Sequence, residues 1–173
     1  MTPQCPAYNL LVPVLDAATL DILSHSAEQS QRLGSRLGEL LRPGDLVCLR
    51  GDLGTGKTTL VQGIARGWGA IRPATSPSFV LLNQYRDPDG RVLFHADGYR
   101  LEAGSFLGFE VEELLQEGAL VIEWPERFGS LPQERLWVEL RWVEDTRRGL
   151  RFTPTGRRFE DLISQYRHLT YGG

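Results

Sequence analysis

The stretch "RGDLGTGKTTL", Arg50 to Leu60, decides how the chain is read. Gly51, Gly56, Lys57 and Thr58 fit the pattern G-x-x-x-x-G-K-[ST], and the flanks supply the context which that pattern requires. Before it, "DLVCLR" is a short apolar run that predicts a buried strand; after it, "GKTTLVQGIARGWGA" predicts a helix. Strand, glycine-rich loop and helix in that order make a phosphate cradle. Glycines let the backbone turn its N–H groups inward, and the helix beginning near Lys57 aims the positive end of its dipole at the same place. Lys57 is the only lysine of 173 residues, against eighteen arginines. A compact ammonium on a flexible stem reaches β- and γ-phosphate oxygens, where a planar guanidinium would need a different cradle.

Working outward, Ser26 and Gln29 form a capping box, Leu33, Leu37, Leu40 and Leu41 share one helical face, and Pro43-Gly44 ends that helix. The first 25 residues hold Pro3, Pro6 and Pro13, and their "LDAATLDILS" suits either a strand or a first helix. "SFVLLNQY" and "RVLFHAD" predict strands joined through the turn signals of "RDPDG", as a hairpin or as neighbours. "SFLGFEVEELLQEG" predicts a helix and "ALVIEW" an apolar strand ending in charge. "RLWVELRWVED" alternates and pairs with "GLRFTPTG" across an arginine-rich turn, ahead of an amphipathic helix carrying Phe159, Leu162, Ile163 and Tyr166. Helices alternating with strands indicate one α/β domain over residues 1–173, with an antiparallel portion towards the C-terminus.

Composition narrows the function classes. A net charge of −3 and a pI near 5.6 argue against holding nucleic acid by bulk charge, although local basic patches stay open. Cys5 and Cys48 lie far apart, which suggests neither a disulfide framework nor a zinc site and fits a reducing cytoplasm. No basic leader and no apolar run of about eighteen residues is present, so no membrane association is expected.

A phosphate cradle also needs a cation site. The Thr58 hydroxyl is the first magnesium ligand by its place in the motif, and an acid at the end of another core strand should complete the site. Glu123 closes "ALVIE" and Asp97 closes "RVLFHAD". Ligands sit at strand ends in open α/β sheets, so both face the right way, though either alone also reads as a solvated strand end. His95 has no cysteine or second histidine beside it and reads as structural.

Four blocks in order, "GDLGTGKTT", "TSPSF" from Thr75, "HADGYRL" from His95 and "VIEW" from Val121, resemble the signatures of the TsaE (YjeE) family of bacterial P-loop ATPases. The resemblance runs from about Ser26 to Arg151 and leaves the first 25 residues and the C-terminal tail without a role. It implies a P-loop NTPase-like mixed sheet with flanking helices. It also implies an ATPase needed to make threonylcarbamoyladenosine beside the tRNA anticodon, acting with the TsaD and TsaB proteins and resetting their complex between rounds. By position, Leu53, Gly54, Thr55, Gly56, Lys57, Thr58 and Thr59 would hold ATP phosphates, and Thr58, Glu123 and Asp97 would hold Mg2+. Trp124 would lie near the nucleotide, Ala27 and Ser30 on the adenine side, and Arg148 in a further nucleotide contact. Read as residues alone, Trp124 is equally a core aromatic and Arg148 a solvated turn residue. Ser76 and Ser78 would belong to a switch loop, with Tyr99 and Arg100 facing a partner or the γ-phosphate. The chain departs from the family pattern at Ser78 for threonine, Thr55 for alanine and Gly98 for leucine, and Gly98 adds backbone freedom beside Asp97. Two other readings stay open. A small-molecule kinase would need an arginine-rich lid, which the acidic stretch from Tyr99 to Gln116 does not resemble. A nucleotide-gated binding module would not depend on hydrolysis.

Overall fold

The computed structural model describes residues 18–76, 82–101 and 110–172. The predicted strand and helix segments at 78–81 and 105–109, Ser78, and the first 17 residues lie outside the described residues. Within them, "LDILS" resolves as a strand, β1 (Leu20–Ser24), followed by helix α1 (Ala27–Leu40). Then come β2 (Leu46–Arg50), α2 (Lys57–Trp68), β3 (Leu82–Arg86), β4 (Val92–Asp97), α3 (Val111–Glu117) and β5 (Gly118–Glu123). A single 3-10 turn at Pro125–Arg127, β6 (Arg135–Trp142), β7 (Arg148–Thr155) and α4 (Arg157–Tyr171) complete the chain.

All strands among the described residues join one seven-stranded sheet in the order β1-β7-β6-β2-β5-β4-β3. The four central strands, β6, β2, β5 and β4, run parallel; β2, β4 and β5 are largely apolar and buried on both faces, whereas β6 alternates. The edges are antiparallel: the predicted β3/β4 hairpin on one side, and β6, β7 and β1 on the other. Alternate side chains divide the core. Val47, Leu49, Leu93 and Val121 pack beneath α1, α2 and α4, while Cys48, Phe94, Leu120 and Ile122 pack beneath α3.

The capping box forms with a shift. The Ser26 hydroxyl accepts from the Gln29 N–H at 3.1 Å, but the Gln29 side-chain Oε1 reaches past Ser26 and accepts from the N–H of His25 at 2.8 Å. Helices α1 and α2 touch backbone to backbone through Gly34 and Gly38 on one and Gly63 and Gly67 on the other. A methyl group at any of the four would overlap the opposing helix, at Leu60, Ile64, Gln31 and Ser35 respectively. Each pair is four residues apart and so lies on one helical face. This contact brings the first turn of α1 beside the loop that opens α2.

Candidate functional site

Parallel pairing brings three strand ends together. Leu49 of β2 lies beside Glu123 of β5, and Glu123 beside Asp97 of β4, so the loop after β2 and both acids share one edge of the sheet. Gly56 caps α2 at φ 98°, a left-handed conformation that side chains resist. Gly51 is needed for space as well: a Cβ there would sit 2.5 Å from the Leu140 carbonyl and 2.7 Å from the Thr55 hydroxyl. The Thr55 hydroxyl instead donates to the Asp52 carbonyl at 2.8 Å, which stiffens the loop.

Lys57 is almost fully buried, and its ammonium donates to the carbonyls of Gly51 at 2.6 Å and Asp52 at 2.9 Å. It lies 4.3 Å from the centre of the Trp124 ring. Burial pulls its pKa down, and the charges of Glu123 and Asp97 oppose that shift. Trp124 is neither core nor loosely placed. Its φ of 57° is the only positive value at a non-glycine residue among those described, and its ring also meets Tyr99 at 5.3 Å.

The two acids differ in environment. Glu123 is 3% exposed, and its Oε1 accepts from the Thr58 hydroxyl at 3.2 Å and pairs with His95 Nε2 at 2.9 Å. Asp97 is half-buried and accepts the Tyr99 N–H at 2.9 Å. Its carboxyl is raised above the ordinary range by burial, and the neighbouring Glu123 charge adds to the shift. Two carboxylates so placed, with a threonine hydroxyl between loop and strand, suit a hard cation. Among the described residues, no group of three or more His, Cys, Asp or Glu side chains is gathered to hold a metal alone. A magnesium ion would therefore take Thr58, Glu123 and Asp97 together with substrate oxygens and water, which is its usual habit.

Of the cavities bordering the loop, two gather these residues. One of about 380 Å³ is lined by Leu53, Gly54, Gly56, Lys57, Thr58, Thr59, Ser76, Asp97, Tyr99, Arg100, Glu123 and Trp124. The other, about 410 Å³, is lined by Ala27, Ser30, Thr55 and Arg148, with His25, Ser26, Thr146 and further loop residues. Every site residue expected from the sequence and lying among the described residues borders one of them. Two have prior engagements. The Ser30 hydroxyl is bonded to that of Ser24 at 2.8 Å, and Arg148 stacks 3.5 Å over Trp142 while its Nη1 donates to the carbonyls of Glu144, Asp145 and Arg147. Arg148 is a turn organiser rather than a solvated arginine.

Gly98 corrects an expectation. It does not loosen the segment: its N–H donates to the Glu123 carbonyl at 2.9 Å, and a Cβ there would press on Phe128 and Trp124. His95, read as structural, is fully buried but bonded to Glu123, a relation that strand register creates and spacing along the chain does not show.

A glycine-rich loop between a parallel strand and a helix, with an acid on the adjacent strand contacting the loop threonine, places the molecule in the P-loop class of α/β folds. The crystal structure of Bacillus subtilis YdiB superposes with a TM-score of 0.72 at 29% identity, covering 87% of this chain and 95% of that one. Residues 24–150 match the family described as "Threonylcarbamoyl adenosine biosynthesis protein TsaE". The chain belongs to the TsaE family. A relative from Nostoc sp., named "tRNA threonylcarbamoyladenosine biosynthesis protein TsaE", is 37% identical over 161 residues, spanning 87% of this chain and 98% of that protein. One of the same name from Bacillus subtilis is 36% identical over 140 residues, spanning 80% and 87%.

Proposed function

We propose that this chain binds ATP across the phosphate loop and hydrolyses it with Mg2+, in support of threonylcarbamoyladenosine formation on tRNA. The observation that carries this is the contact of the Thr58 hydroxyl with Glu123 at 3.2 Å, beside the buried Lys57 ammonium. A magnesium–nucleotide site needs an acid beside the loop threonine, and strand register supplies Glu123 there. In this reading the loop N–H groups and Lys57 hold the phosphates, and Lys57 leaves the carbonyls of Gly51 and Asp52 to do so. Thr58, Glu123 and Asp97 hold the magnesium ion, which when bound neutralises charge on the phosphate oxygens. Whichever of Glu123 and Asp97 is not engaged by the ion can take a proton from the attacking water. The second cavity, between α1 and the β6–β7 turn, takes the nucleoside.

We further propose that TsaD and TsaB complete the site, with tRNA reached only through them, in the cytoplasm where tRNA is modified. Leu53 is 67% exposed and Tyr99 47% exposed on the rim of the phosphate cavity, apolar surface that a partner would cover. The same surface favours the second reading, a nucleotide-gated module whose association matters and whose hydrolysis does not. Phosphate release with and without TsaD and TsaB, in wild type, Lys57→Ala and Glu123→Ala, tests the first reading. Partner-stimulated release that both substitutions abolish supports it; an unstimulated wild type refutes partner activation. If Glu123→Ala still supports tRNA modification while releasing no phosphate, the gated module is correct.

A further inference from the structure

The buried pair formed by His95 and Glu123 has a consequence beyond the phosphate loop. We propose that His95 is a positioning residue that fixes the Glu123 carboxylate, and through it the Thr58 hydroxyl, for cation binding. The proposal rests on the reading of this site as one for magnesium and nucleotide.

His95 and Asp97 are two residues apart on β4 and project to the same side of the sheet, while the register sets Asp97 beside Glu123 and His95 beside Val121. The imidazole therefore sits one layer beneath the two acids. It does not line the phosphate cavity and reaches that cavity only through Glu123. A carboxylate oxygen accepts, so the hydrogen between the two side chains lies on Nε2. Oε1 of Glu123 then takes two donors, His95 at 2.9 Å and Thr58 at 3.2 Å. Two donors on Oε1 restrain the carboxylate from rotating about its last bond, and Glu123 lines the cavity. The Thr58 hydrogen is committed to Glu123, so its lone pairs are what the hydroxyl offers to a cation.

A packing role does not account for this histidine. Nδ1 is buried with no hydrogen-bond partner among the described residues. An orphaned buried polar atom costs stability. The ring's stacking on Tyr85, 6.4 Å between centroids, would be served equally by an apolar ring without that cost. What an apolar ring lacks is the donor to Glu123.

The test compares the full chain with His95→Phe, which keeps a ring and loses the donor, and His95→Gln, which restores a donor near Nε2. A fluorescent ADP analogue is titrated in chelator and then over a magnesium series. Both variants are expected to bind the analogue in chelator as wild type does. In His95→Phe the magnesium needed for half-maximal enhancement should rise about 10- to 100-fold, with most of that loss recovered in His95→Gln. A His95→Phe magnesium curve matching wild type overturns the proposal, as does an equal loss of binding with and without the metal. If wild type itself binds no analogue, or Lys57→Ala binds as well as wild type, the nucleotide reading fails instead. Nitrogen NMR of the labelled wild type, which has three histidines, needs no folded Phe variant. The resonances lost in His95→Gln should show a protonated Nε2 and a bare Nδ1; a proton on Nδ1 refutes the arrangement.

Discussion

Replacing Gly98 with leucine sets the family pattern against the local packing. The family resemblance implies leucine there, and substitution towards a family consensus commonly stabilises a protein. The structure dictates the reverse for this chain. A Cβ at Gly98 would lie 2.7 Å from Phe128 Cε2, 2.9 Å from the Trp124 carbonyl and 3.0 Å from Arg127 Cβ, where ordinary contact begins at 3.4 Å. The backbone is not the obstacle, since Gly98 has no positive φ. The obstacle is the 3-10 turn, which holds Arg127, is flanked by Trp124 and Phe128, and places Phe128 in the core beneath α3. Overpacking of this kind costs about 1–3 kcal/mol, so Gly98→Leu should lower the melting temperature by roughly 3–10 °C in a chain of this size. Differential scanning calorimetry of Gly98→Leu, Phe128→Ala and the double variant measures it. If the clash is with Phe128, the double variant should be more stable than the sum of the single losses by about 1 kcal/mol or more. An unchanged or raised melting temperature for Gly98→Leu, or a strictly additive double variant, would refute the reasoning.

Other expectations follow from buried charge. Arg158 binds Asp45 through Nε at 3.0 Å and Nη2 at 2.6 Å and also donates to the Leu40 carbonyl; Arg158→Ala leaves the buried Asp45 with only the Arg42 N–H among these contacts. It should cost about 2–3 kcal/mol in urea unfolding, reduced because the guanidinium is partly exposed. Burial holds the Asp97 carboxyl above its ordinary 3.8, so the folded chain binds that proton more tightly than the unfolded one and ionisation works against folding. Asp97→Asn should therefore melt higher than wild type at neutral pH without magnesium, and the gain should vanish as pH falls towards 3.8; a constant gain would point to packing instead. Burial pushes the Cys48 thiol up to about 12. In a Cys5→Ser background a thiol reagent at mildly alkaline pH should react at the rate of unfolding, and rapid labelling of folded protein would contradict the buried strand.

Much of the site was legible because it is local. The loop from Gly51 to Thr58 carries its own backbone geometry, its lysine and the start of the helix within eight positions. Glu123 and Asp97 both answer to one rule, an acid at the end of an apolar strand, and both border the cavity beside the loop. What spacing did not reveal was how these acids are held. His95 reads as an isolated histidine until β4 and β5 are laid side by side, and Trp124 reads as equally core or site until its left-handed backbone turns the ring towards Lys57. The glycines of α1 and α2 left a signal that was missed, two pairs each four apart on one helical face.

Local sequence suffices for the strand, loop and helix of the candidate phosphate cradle, the first helix with its capping serine, and the terminal hairpin and helix. Each depends on hydrogen bonds, dihedral preferences and apolar periods spanning a few neighbouring residues, which are written into local sequence. The tertiary structure alone decided the strand order, the contact from Thr58 to Glu123 to His95, the closeness of α1 to α2 and the tight seat of Gly98. Those depend on which strand lies beside which and at what register, a choice made by burying two faces of a sheet at once.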